Sequence, residues 1–408
     1  MELKPGYKQT EVGVIPEDWK VRQIKAVCKL INGRGFKPFE WEKTGLPIIR
    51  IQNINGSDEF NFYQGIYDKK LEIDPGQLLF AWSGSRGTSF GPHIWQGPRG
   101  LLNYHTWKVQ IYESEVDKGF FLHALKQLTN FIEGKAHGAS ALVHTQKWEM
   151  EGFEFPLPPT KAEQEAIAEA LGDADALIES LEHLIAKKRQ IKQGAMQKLL
   201  QPKDGWVETC LLELASGKKE LFDDGDWIEA EHITTKGVRL VQTGNIGVGK
   251  FVEKGAKKYI FESSFVTLRC KEIKEGDLLI CRLADPAGRA CVLPDIGEDK
   301  IVTSVDVTIF RPSSSIANRV FLANFFSTDQ WFRDVSDRSG GTTRKRISRG
   351  ALGRLKISVP PLDGQTAIAA ILSDMDAEIA ALEAKLDKTR QLKQGMMHNL
   401  LTGKIRLV

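Results

Sequence analysis

Apolar residues recur along this chain with two different periods. Over 164–200 a heptad frame places Ile167, Ala174, Leu181 and Ala195 at a, and Leu171, Ile178, Ile185 and Leu199 at d. The frame returns over 365–401, with Ile368, Met375, Leu382 and Met396 at a and Leu372, Ile379, Leu386 and Leu400 at d. Both stretches are predicted as long helices. Pro158-Pro159 followed by Thr160-x-x-Glu163 reads as a capping box, and Pro360-Pro361 is followed by Asp363 as an N-cap. Gln201-Pro202 and Thr402-Gly403 read as stops. Lys188 and Lys192, like Thr389 and Lys393, interrupt the seam in the last third of each copy. Gly194 and Gly395 each cost about 1 kcal/mol against alanine in an exposed helix interior. They read either as a close backbone approach or bend, or as tolerated glycines.

The remaining sequence has short β-type runs, at 46–51, 77–82 and 107–112 in one region and 238–243, 277–282 and 305–310 in the other. Turn residues separate them, among them Asn55-Gly56, Pro75-Gly76 and Gly276-Asp277. The pattern predicts α+β domains.

The two helical stretches are copies. Aligned without gaps at an offset of 201, they are identical at 20 of 37 positions. The identities include polar residues: Asp173/Asp374, Asp175/Asp376 and Arg189-Gln190/Arg390-Gln391. Two unrelated amphipathic helices would agree at apolar positions alone, so the unit is duplicated. The intervening domains echo each other more faintly. Trp19 pairs with Trp206, IRIQNING (49–56) resembles VQTGNIGVG (241–249), and IDPGQLLF resembles IKEGDLLI. The expected organisation is a first globular domain over 1–155, a helix over 156–203, a second domain over 204–357 and a helix over 358–408. An antiparallel pairing of the copies would give approximate two-fold symmetry within one chain. Each helix would be roughly 55 Å long at 1.5 Å per residue.

Composition narrows the class. The chain has 408 residues, 41% hydrophobic, with a net charge of +3, enough for real cores and only mildly basic. No run approaches a membrane span, and the N-terminus has no apolar signal core. Five scattered cysteines without a C-x-x-C pair argue against a disulfide framework or zinc ribbon and fit a reducing cytoplasm.

With segments such as GYKQTEVGVIPEDW, NGRGFKPFEWEKTGLPIIRIQNING, FPLPPTKAEQEAIA and LKQGMMHNLLTG, nearly the whole chain resembles the specificity subunit of type I restriction–modification enzymes. The resemblance implies two α+β target-recognition domains separated by two long antiparallel coiled-coil helices, pseudo-two-fold symmetric. Each domain would read one half of a bipartite asymmetric DNA site. The helices would fix the spacing and dock two methyltransferase subunits, with restriction subunits joining the complex. The chain would be non-catalytic and cytoplasmic, and S-adenosylmethionine, ATP and Mg would sit on the partners. One departure is visible: PPTKAEQ in the first copy reads PPLDGQ in the second, which loses a residue and the Glu.

Base reading needs donors and acceptors on exposed loops, and phosphate binding needs Lys and Arg beside them. Three matched pairs of segments are candidates. The first is 337–349, with Arg338, Thr342, Thr343, Arg344, Lys345 and Arg346, against 134–147, with Lys135, Ser140, His144 and Lys147. The second sets Ser83, Ser85 and Arg86 against Arg282, Asp285 and Arg289. The third sets Asn103, His105 and Lys108 against Ser304 and Asp306. The competing readings are a solvated basic loop for the first pair and ordinary strand-end turns for the third.

Other signals are set aside. GNIGVGK (244–250) lacks the Ser or Thr of a phosphate-binding loop and reads as a glycine turn. Asp295, Glu298 and Lys300 share one short loop, where two carboxylates cannot straddle a metal. No amino-methyltransferase motif and no histidine metal spacing occurs. Lys187-Lys188-Arg189 and 388–393 read as solvated faces or docking surfaces for partner subunits. A self-contained nuclease or methyltransferase and a protein-binding scaffold remain the rival classes.

Overall fold

Aliphatic and β-branched runs bounded by turns give short strands, and these pair within two separate units. The computed structural model describes residues 5–135, 142–341 and 344–407. Residues 1–182 with 384–408 form one unit and 183–383 the other.

In the first unit, Gly91–Ile94, Leu78–Ala81, Thr106–Ile111 and Cys28–Asn32 form an antiparallel sheet in that order. A second sheet orders Asn61–Tyr63, Leu46–Ile49, Gly100–Leu102 and Glu72–Ile73, with the middle pair parallel. The predicted runs at 46–51, 77–82 and 107–112 are central strands here. Phe80, Trp107, Phe120, Phe121, Met150 and Trp19 make one buried core with Ile167 and Leu171 of the first long helix and Met397, Leu400 and Leu401 at the end of the second. That core is why the helix ends belong to this domain: each buries an apolar stripe that no isolated helix could hide.

The second unit repeats the plan. Phe222–Asp224, Val307–Phe310, Leu278–Cys281 and Ala290–Val292 form the antiparallel sheet. Ile233–Thr234, Lys258–Ile260, Val238–Val241, Ile301–Thr303 and Glu272–Ile273 form the mixed one, again with a parallel central pair. The echoed segments IQNING and TGNIG do one job. Asn53 accepts from the Arg50 amide and donates to the Ser57 and Glu59 carbonyls, while Asn245 accepts from Gln242 and donates to Val252. A single difference stands out among the helices. The 18-residue helix Lys118–Lys135 is matched by two pieces, Arg319–Phe325 and Asp329–Asp337, the second capped by Thr328, which accepts from the Trp331 amide.

The duplicated segments are helices Lys161–Leu199 and Leu362–Leu400. Their seam residues Ile167, Leu171, Leu181, Ile185, Leu372, Ile379 and Leu386 are buried, and Ile178, Ile368 and Leu382 half-buried. In the first unit Arg390 pairs with Glu182 and Lys393 with Asp175; in the second Arg189 pairs with Glu383 and Lys192 with Asp376. In each unit the partner numbers rise on one helix as they fall on the other, so the segments run antiparallel. Every one of these pairs is a duplicate of another at the offset of 201. The identical Asp175/Asp376 and Arg189/Arg390 are thus partners in cross-helix ion pairs, and Lys192 and Lys393, which break the seam, supply the cations for the two aspartates. Lys188 and Arg189, expected as a solvated or docking face, reach Glu378 and Glu383 in this way.

Each helix is locked to its own domain by the first residue of the repeat. Buried Gln164 accepts from the Asp117 amide and donates to the Pro158 carbonyl; buried Gln365 accepts from Asn318 and donates to Pro360. The caps differ from expectation. The Glu163 amide donates to Thr160 Oγ1, but the Glu163 carboxylate turns away to Arg406, so the box is only half formed. Asp363 lies inside the first turn, since the second helix starts at Leu362. A Cβ at Gly194 or Gly395 would meet nothing within 4 Å, which removes the close-approach reading.

Candidate nucleic-acid interface

Three separated segments converge at one end of the antiparallel sheet in each unit. In the first, Ser83–Ser85 pairs with Leu142–His144, setting Ser83 opposite His144. The Trp82 amide donates to the His105 carbonyl, and the Thr145 amide donates to that of Trp82. In the second unit Leu283 bridges Arg346, the Arg282 amide donates to the Asp306 carbonyl, and the Ile347 amide donates to that of Arg282. The backbone therefore equates Trp82 with Arg282, His105 with Asp306 and His144 with Arg346. All three matched segments of the sequence meet here.

A glycine holds each edge together. A Cβ at Gly33 would stand 1.9 Å from the Asn103 carbonyl oxygen, and one at Gly225 would stand 2.4 Å from that of Ser304. Only a residue without a side chain lets this strand end cross so closely. Beyond it, Arg34 bridges Asn103 and Asp226 bridges Ser304.

The chemistry of the two edges differs. The first is mainly aromatic. The Tyr104 and His105 rings lie tilted against each other with centroids 3.7 Å apart, Trp82 lies 5.4 Å from His105, and Trp82 Nε1 donates to the Tyr104 carbonyl. The buried Asn103 Oδ1 and His105 Nδ1 have no hydrogen-bond partner. Burial depresses the His105 pKa below the ordinary value, so the ring stays neutral near pH 7. Ser83 and Ser85 are half-buried, and His144 and Arg86 are exposed. Lys147 starts helix Lys147–Gly152 and pairs with Glu151. Lys108 does not reach the edge, because its Nζ donates to the Glu72 carbonyl on the neighbouring sheet. Ser140, Thr342 and Thr343 lie outside the described residues, as does the side chain of Lys135.

The second edge is ionic, and the structure reassigns part of it. Arg282 is 3% exposed; its guanidinium donates to the Ile347 and Val305 carbonyls and pairs with Asp224. Arg289 gives Nε to Ile246, Nη1 to Leu283 and Pro286, and Nη2 to Thr243, all carbonyl oxygens. Both were candidates for DNA contact; both instead hold the loops, because buried backbone carbonyls already take their donors. Arg349 is tied to Asp223 and Lys345 Nζ to Ser336 Oγ. Asp285 is exposed. Ser304 turns the chain by accepting from the Val307 amide. Arg338 and Arg344 are exposed, and Arg346 pairs with Asp306 at 2.7 Å while its side chain stays 46% exposed.

Sequence reasoning missed Arg34, whose guanidinium lies 4.8 Å from the Phe36 ring and 5.1 Å from Tyr63 and pairs with Glu40. It also missed Tyr104. The glycines flanking Arg34 in NGRGF were the available signal. GNIGVGK is a turn in which the Gly247 amide donates to the Lys250 carbonyl, and Glu298 accepts from the Tyr259 hydroxyl and pairs with Lys257. Among the described residues no group of three or more His, Cys, Asp or Glu side chains is placed to hold a metal, and no helix is long and apolar enough to cross a membrane.

Two copies of one domain, each presenting the same convergent edge with different side chains and joined by a duplicated helix, define a two-headed recognition protein. The family described as type I restriction modification DNA specificity domain matches the chain twice, over 16–192 and 205–391, and the chain belongs to it. Among curated proteins it is similar to the type I restriction enzyme MjaVIII specificity subunit of Methanocaldococcus jannaschii, with 25% identity over 96% of this chain and 94% of that protein. It is also similar to the EcoBI specificity subunit of Escherichia coli, with 22% identity over 96% and 86%. Among solved structures, the S subunit of a type I restriction-modification system from M. genitalium shares the fold, with a TM-score of 0.58 at 15% identity over 98% of both chains.

Proposed function

We propose that this chain is the sequence-recognition subunit of a type I restriction–modification complex, with each domain reading one half of a bipartite, asymmetric DNA site. The observation that carries this reading is the pair of matched edges. One backbone scaffold, braced by Trp82 in one unit and by buried Arg282 in the other, presents His105 and His144 in the first and Asp306 and Arg346 in the second. Equal frames with unequal chemistry suit two unlike half-sites, since base identity is read by the donors and acceptors a scaffold displays. The two long helices set the number of base pairs between the half-sites and dock two methyltransferase subunits; restriction subunits complete the assembly. S-adenosylmethionine, ATP and Mg belong to those partners, this chain contributes no catalytic group, and the complex works in the cytoplasm.

Exchanging residues 1–155 for another recognition domain, then sequencing methylated adenines, tests the reading. One half-site should change while the other half and the spacer persist. An unchanged site, or the loss of both halves together, would overturn it.

A further inference from the structure

On the ionic edge, Arg346 combines a backbone paired on two sides, a guanidinium in contact with a carboxylate and open surface. Its amide and carbonyl both pair with Gly340, and it bridges Leu283 on the other side. Its guanidinium Nη2 lies 2.7 Å from Asp306 Oδ1 as an ion pair, that buried oxygen having no hydrogen-bond partner, and the Asp306 carbonyl is fixed by the Arg282 amide. The buried Arg282 beneath, clamped by Asp224 and two carbonyls, keeps that support rigid. The side chain nevertheless remains 46% exposed.

Rigidity separates two kinds of DNA contact. A phosphate accepts a positive charge from many directions, so a mobile arginine serves. A guanine edge presents O6 and N7 in one plane and rewards a guanidinium already held in that plane. A single carboxylate oxygen beside Nη2 can engage only one of its two N–H groups, which leaves the other to donate together with Nη1 or with Nε as a two-donor fork, and the ion pair removes rotamer freedom that binding would otherwise have to freeze.

We infer that Arg346 is a specificity-determining residue that reads a guanine in the major groove of the half-site bound by the second domain. Asp306 is its positioning residue, and the exposed Arg338 and Arg344 grip phosphates. In the first domain the equivalent positions hold His144 and His105, so no guanine-reading fork stands at that place in the other half-site. The inference rests on the proposed DNA-recognition function and adds the base and the residue that reads it.

The test uses the chain assembled with its methyltransferase subunits, bound to a library in which every base pair of both half-sites is varied. Arg346→Ala should equalise the four bases at one position of one half-site, erasing a guanine preference of about ten- to a hundredfold. The other half-site should be unaffected. Arg346→Lys, which keeps the charge without the fork, should lose the same preference while retaining the salt dependence. Asp306→Asn should relax that one position and Asp306→Glu restore part of it, which a merely structural role would not do. Arg344→Ala should weaken all sequences alike and lower the salt slope by about one. The inference is overturned if Arg346→Ala acts uniformly across sequences, if Arg346→Lys keeps the preference, or if the base lost is not guanine. Failure of the unaltered complex to select any bipartite site would instead overturn the proposed function.

Discussion

The two recognition edges share a backbone frame and differ in how they are stabilised. At the first, Trp82 stacks on Trp107 and lies tilted against His105, and packing of rings keeps the loops in place. At the second, Arg282 and Arg289 do the same work by donating to six carbonyls between them. An aromatic brace lies beside few charged groups, Arg86 exposed and Arg34 paired with Glu40, whereas an arginine brace sits beneath a more densely ionic edge. The two units thus share hydrogen-bond geometry at the backbone and differ in the side-chain chemistry laid over it.

The helix roots show the same contrast. Glu163, with its side chain 1% exposed, is paired to Arg406, which also reaches Asp18. At the offset of 201, Glu163 corresponds to Gly364, and Gly205 to Arg406, so both partners are absent together in the second copy. The largest expected effect follows. Arg406→Ala leaves a buried carboxylate unpaired and should destabilise the first unit by about 3–5 kcal/mol. Denaturant unfolding followed by probes in each unit checks this; equal loss in both units would break the contrast.

A second, slightly smaller effect is pH-dependent. His123 lies buried near Lys126, Asp175 and Lys393, and burial and then those ammonium groups depress its pKa to about 4. Around it, burial opposes the ionisation of Asp175, but Lys393 and Lys126 outweigh it and hold the carboxyl below its ordinary range. At the matching position stands Asn324, which donates to the Val320 carbonyl and does not titrate. The unfolded chain takes up the His123 proton near pH 6.5 while the folded unit refuses it until about pH 4. Stability of the first unit should therefore fall between those values, by about 3 kcal/mol at the lower limit. His123→Asn should flatten that part of the profile, and an unchanged profile would remove His123 as its cause.

The smallest effects belong to the exposed cross-helix pairs. Arg189→Ala and Arg390→Ala, which remove duplicate pairs in opposite units, should each cost about 0–1 kcal/mol and less at high salt. Unequal losses would sharpen the comparison by revealing a difference between the two helix crossings that the matched residues conceal.

Much of this organisation was legible beforehand. The strand runs were found because short apolar segments between glycine turns have few alternatives, and the echo IQNING/TGNIG marked a real shared device in Asn53 and Asn245. The three matched loops were identified from register alone. Their arginines could not be sorted that way: Arg282, Arg289 and Arg346 look alike in sequence, and the carbonyls that engage the first two come from residues up to 65 positions away. Glu163 was likewise assigned to its nearest local partner, a cap, when its actual partner is Arg406.

By itself the sequence determined what depends on local period and on repetition: two amphipathic helices, two α+β domains, and a duplication whose polar identities demanded an explanation. Tertiary structure decided which charges hold the fold and which remain available to a ligand. The physical reason is that an arginine or carboxylate acquires its role from the groups folding brings against it and from the water folding takes away, and neither is encoded in its immediate neighbours.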